Sequence, residues 1–224
     1  LSPEHGQMLQ ETESHFFDTW HAAEKLGSGR TPPTPVARRS LQQTSQRLAA
    51  LTGFQTDRMS RDDGWRFLSM GRHIERLNFL AGALALAIEA RLFTEQAGFD
   101  ALLNLFDSSI SFHAQYQQSR TPQALIELLV TSGDNPRSLA WVAQTLRSRL
   151  RRIEHLAQGA THTLAALLPE APADPLLQWP QSSTSPEALT ALLDHYRRSA
   201  REVAEGLSGL FFTHSGQAAH SVGL

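Results

Sequence analysis

The stretch 62–92, DDGWRFLSMGRHIERLNFLAGALALAIEARL, constrains the fold more than any other part of the chain. On a helical wheel at about 100° per residue its large apolar side chains form two arcs. Met70, Ile74, Leu77, Leu84 and Ile88 lie on one side; Trp65, Leu68, Phe79, Ala83 and Leu86 lie on the other. A helix apolar nearly all round belongs at the centre of a helical assembly, with neighbours on both sides.

Arg72, Glu75 and Arg76 break that pattern, because they fall inside the second arc, between Leu68 and Phe79. Residues three and four apart share a patch of helix surface, so the three charges sit together. A buried charge must be paired, hydrogen-bonded or placed beside water. The triplet carries two positive charges and one negative, so its surplus needs a further acceptor. Arg61 and Arg66 are close enough in sequence to add to the patch. One reading is an ion-pair network that locks helix register. The other is an anion or carboxylate site, or a docking face for a partner. Asp107 is the acceptor expected to complete the group.

Elsewhere the apolar residues also recur at three and four positions, and no alternating run of Val, Ile, Thr or Tyr marks a strand. Helices are predicted over 3–26, 36–57, 62–93, 99–118, 121–131, 136–168 (with a possible break near Gly159) and 186–213. Asn135 before Pro136, Thr121 before Pro122 and Ser185 before Pro186 read as helix N-caps. The Pro-rich stretches near 30–35 and 169–186 read as linkers. The expected fold is all-α, an antiparallel bundle of about six or seven helices in a single domain.

The chain has 224 residues, 41% hydrophobic and 19% charged, enough for a sizeable core. A net charge of −2 gives no reason to expect a nucleic acid or an acidic membrane as partner. Without cysteine there are no disulfides or thiolate metal sites, which fits a cytoplasmic location. No apolar run is long enough for a membrane span, and the first residues lack the pattern of a signal peptide. Of 20 basic residues only Lys25 is lysine, which argues against Schiff-base chemistry. The ten histidines form no HExxH, and Asp18–His21 is a lone carboxylate-x-x-His, so no metal site is expected. There is no Walker loop and no GxGxxG. Asn135 and Arg137 open a predicted helix, where an ordinary cap and an anion-binding terminus are both readable. Ser108 and Ser109 lack a His/Asp partnership, so no nucleophile, and no catalytic residue at all, is assigned. Arg147, Arg149, Arg151 and Arg152 are spread around a helix as a solvated face.

The segment MSRDDGWRFLSMGRHIER, with Met59, Arg61, Gly64, Trp65, Arg66, Phe67, Leu68, Gly71, Arg72, Glu75 and Arg76, resembles the motif of the alpha-E family, a helical domain named for its Glu-Arg signature. LLNLFDSSISFHAQY, ELLVTSGDNPRSLAWVAQTLRSRL and LSGLFFTHS resemble later family segments, so the likeness spans roughly 48–214. Phe112 and His113 stand where the family usually has Tyr and Arg. Two earlier family helices, Gly-Arg-x-x-Glu-Arg and Ala-Arg-Glu-Asn, are not found, so the chain is expected to be the C-terminal part of a longer protein, with some apolar surface left uncovered.

The resemblance implies association with circularly permuted ATP-grasp proteins, fused or separate, suspected of forming amide bonds on peptides or amino acids. The expected function is a non-catalytic accessory or partner-binding domain of such a system. ATP and Mg would belong to the associated module, with no cofactor in this domain, and an acidic peptide is a possible partner. An alternative is an enzyme half-site in which Arg72 and Arg76 hold a carboxylate and Glu75 acts as base; a third is an oligomerisation module.

Overall fold

A computed structural model describes residues 3–26, 33–117, 119–170 and 187–212. The described residues are helical with no strand, as the apolar period predicts, and form two compact units, 1–61 and 62–224. The expected Ser185 cap lies outside the described residues.

The first unit is a pair of helices, α1 (Pro3–Leu26) and α2 (Thr34–Arg58), that pack on each other. His15 faces Gln43 across the pair at 3.3 Å, and Phe16 stacks on Trp20. Among the described residues Leu51 is the large apolar side chain this unit buries, while Phe17, Leu41 and Leu48 remain exposed.

The second unit holds the core. Its axis is α3 (Asp63–Glu89), which starts where the Asp62 carboxylate accepts the Trp65 N–H at 2.9 Å. Met70, Ile74, Leu77 and Leu84 are buried, as the first arc requires. They pack chiefly against α7 (Leu139–Arg152) and α9 (Glu187–Phe211). On α9 the buried residues Leu189, Leu193, Tyr196, Ala200, Val203 and Leu207 recur at alternating steps of four and three, the signature of a packed helix face. Each large side chain sealed in this way contributes roughly 1.5–3 kcal/mol.

The single helix expected over 99–118 is two: α4 (Gln96–Leu105) and α5 (Ser109–Tyr116). Asp107 takes a left-handed conformation, φ 48°, and the Ser108 N–H returns to the Leu103 carbonyl at 2.9 Å, which ends α4. Asp tolerates that conformation better than most residues. The apolar period runs across the break because Leu103, Phe106 and Phe112 all reach one core. Next, α6 (Pro122–Ile126) is capped by Thr121 as expected and widens into a π turn, Glu127–Thr131. The helix predicted from 136 begins three residues later. A 3-10 turn (Glu154–Leu156) and left-handed Gly159 then separate α7 from α8 (Ala160–Ala166).

Candidate functional site

The second apolar arc is not covered among the described residues: Phe79 is 55% exposed and Leu86 65%, with Trp65 and Leu68 half-buried. The arginine triplet is accordingly not sealed. Arg72 and Arg76 are half-buried and Glu75 is exposed. Apolar periodicity cannot separate an arc that faces a core from one that faces an open groove, since both remove the same residues from bulk water once occupied.

The network expected between the triplet and Asp107 does not form. The turn at Asp107 carries its carboxylate to the surface, where Oδ2 accepts from Arg137 Nη2 at 2.8 Å. Arg66 pairs with Asp63 at 2.5 Å and so does not join the triplet. Arg61 is exposed and closes the first unit. Among the described residues neither Glu75 nor Arg76 has an ion pair.

Asn135 is not the cap of α7. Ser138 is, its hydroxyl accepting the Trp141 N–H at 3.1 Å and donating to the Ser132 carbonyl. Asn135 is buried and its side chain is committed to the loop. Nδ2 donates to the Leu128 carbonyl at 2.9 Å and to Ser108 Oγ at 3.3 Å, and Oδ1 accepts the Arg137 N–H at 3.0 Å. Arg137's backbone N–H is therefore spent within the turn. Only the Arg137 guanidinium faces outward.

Cations dominate what remains around the triplet. Burial lowers the Arg76 pKa below its ordinary value, and the neighbouring charges of Arg137 and Arg72 lower it further. Arg137 is itself paired with Asp107, and Arg76 has no ion pair among the described residues. Behind Arg76 on α3 lies His73, 9% exposed and stacked on Trp141 with centroids 5.9 Å apart. Its Nδ1 lies 2.6 Å from the Ser69 carbonyl. A proton on Nδ1 makes that hydrogen bond, which leaves Nε2 as an acceptor, buried and without a partner among the described residues. Burial pulls the His73 pKa down to about 4; the Ser69 hydrogen bond opposes this, and Arg149, Arg76 and Arg72 deepen it. Arg149 lies over the face of Trp65 at 4.4 Å. With Trp141, Gln144, Ser148 and Arg152 it lines a polar hollow of about 340 Å³. Sequence reasoning missed His73, Trp141 and Arg149 as neighbours of the triplet. The His73–Trp141 pair joins α3 to α7, and local spacing carries no signal for that.

This cationic ridge centres on Glu75–Arg76, which is the one Glu-Arg dipeptide in the chain. The family whose profile matches, over residues 1–212, is described as Alpha-E, a predicted alpha-helical domain with a conserved ER motif. The chain belongs to the Alpha-E family. Its all-helical fold agrees with the description of Alpha-E, and Glu75–Arg76 supplies the Glu-Arg pair. Similar curated proteins include an uncharacterized protein of Mycobacterium bovis and uncharacterized proteins of two Mycobacterium tuberculosis strains, each 29% identical over 106 residues. The match covers 46% of this Alpha-E chain but only 12% of each relative. No solved structure matches the chain. Among the described residues no helix is long and apolar enough to cross a membrane, and no group of acidic and histidine side chains is arranged to hold a metal ion.

Proposed function

We propose that this Alpha-E domain is a non-catalytic recognition module that receives a carboxylate from a partner on the Arg72–Arg76 ridge. One observation carries the reading: Arg76 is partly desolvated among cations, with no ion pair among the described residues. Such an arrangement is destabilising by itself and is relieved by an anion. Arginine suits the role, since its planar fork meets a carboxylate through two parallel hydrogen bonds. The relatives support an accessory role, because the matched segment is a small part of much longer chains. The resemblance to domains linked to ATP-grasp amide ligases supplies the setting. There the partner would be an ATP-grasp module or its acidic peptide, with ATP and Mg held by that module.

Calorimetric titration of the chain with hexaglutamate tests the reading. Arg76→Gln is expected to weaken binding tenfold or more, about 1.4 kcal/mol. Glu75→Gln should bind as well or better, since exposed Glu75 repels the ligand. Equal affinity of wild type and Arg76→Gln contradicts the proposal. The open ridge also suits a half-site in which Glu75 acts as a base. Assay with the full parent protein separates the two, because a base predicts that Glu75→Gln abolishes turnover while binding persists.

A further inference from the structure

The stripe of α3 that carries Arg72 and Arg76 runs on past them. At about 100° per residue, Phe79, Ala83, Leu86 and Ala90 all fall within about 40° of Arg72 around the helix. Together with Leu105 of α4 and Arg197 of α9, they line an open, largely apolar groove of about 600 Å³. Its rims are exposed: Phe79 55%, Leu86 65% and Leu105 50%. The floor is built from small residues, Gly82, Ala83 and Ala101 among them, so another backbone can approach closely. A contiguous apolar surface of this kind, lying between helices, marks an interaction site. Phe79 and Leu86 lie two turns apart along α3, the spacing at which an amphipathic helix presents successive apolar anchors.

We propose that this groove seats an amphipathic α-helix of a partner polypeptide, with apolar side chains between Phe79, Leu86 and Leu105 and a carboxylate about one heptad away on Arg76. Charge complementarity sets the occupant. Arg76 lies about 10 Å along α3 from Ala83, the middle of the groove, which is roughly two turns of a docked helix. Arg72 lies one turn before Arg76 on the same stripe, and Arg197, in an ion pair with Asp194 at 3.8 Å, lines the groove. A helix with an acidic residue one heptad from its apolar centre meets both features at once. The inference rests on the carboxylate reading of Arg76 and adds the groove to it.

A fluorescein-labelled peptide of about 20 residues serves as probe, long enough to fold as a helix. It carries Leu at two successive turns and Glu one heptad away, and anisotropy is read on the full chain. Wild type is expected to bind it, and Leu86→Glu to weaken binding tenfold or more while circular dichroism stays unchanged. Arg76→Glu should weaken binding likewise, and a peptide with Arg in place of the Glu should restore it. Absence of binding, or equal binding to Leu86→Glu, overturns the inference. If a Leu→Ser peptide binds as tightly and still depends on Arg76, the carboxylate reading stands and the groove is lost. Binding that depends on Leu86 and not on Arg76 overturns the carboxylate reading and with it the two-point contact. Self-association without peptide, abolished by Leu86→Glu, would assign the groove to a second copy and overturn the partner helix.

Discussion

Arg76 and His73 sit three residues apart on α3 and respond to the same field in opposite ways. Arg76 keeps its charge, and the proposed carboxylate would offset the repulsion around it. His73 stays neutral, because burial and the nearby arginines hold its pKa at about 4 against an ordinary 6.5. The unfolded chain therefore binds more protons than the folded one between these values. Stability contributed by neutral His73 is complete above about pH 7, and it falls as pH drops through 6.5 toward 4. The loss reaches roughly 3 kcal/mol in all. His73→Phe keeps a ring against Trp141 and removes the titration, so its melting temperature should fall less than that of wild type between pH 6.5 and 4.5. Parallel curves for the two proteins contradict the assignment. A hexaglutamate ligand should also raise the His73 pKa by offsetting the arginines, which an imidazole proton titration by NMR would detect.

Among the elements, the extents of the long helices were legible in the apolar period: α1 has the bounds expected, α9 ends within two residues of expectation, and Thr121 marked the start of α6. What escaped was the geometry of breaks. Asp107 and the 127–131 turn interrupt helices without interrupting the apolar period, because the side chains on either side converge on one core. Two glycines test the packing in opposite senses. A Cβ on Gly98 of α4 would lie 2.5 Å from the Leu92 carbonyl oxygen, so Gly98→Ala should cost about 1–3 kcal/mol by chemical denaturation. A Cβ on Gly71, beside Arg72 on α3, meets nothing within 4 Å. Gly71→Ala should then stabilise the chain by up to about 1 kcal/mol, through helix propensity alone. Destabilisation by Gly71→Ala would show that the surface around the ridge is not open.

For the whole molecule, the all-α class and the Alpha-E likeness could be read from the residues alone, and the position of the triplet on the central helix followed from its period. Which arc of that helix faced outward could not, since exposure depends on where α4 and α9 pack and not on local pattern. The acceptor for the surplus charge was misassigned for the same reason: a turn at one residue moved Asp107 out to Arg137. The resulting domain exposes a cationic ridge and an apolar groove side by side on α3. The match to the long relatives spans 46% of this chain and 12% of each of them. A recognition surface accounts for the ridge and the groove together.

The most direct measurement follows the arginine side-chain Nε–Hε signals of the ¹⁵N-labelled chain during titration with hexaglutamate, with hexaglutamine as the neutral control. The account predicts saturable shifts concentrated on Arg76 and Arg72, absent with hexaglutamine, while exposed Arg91 and Arg151 stay in place. Shifts spread evenly over the surface arginines, or no shift at Arg76, would contradict it.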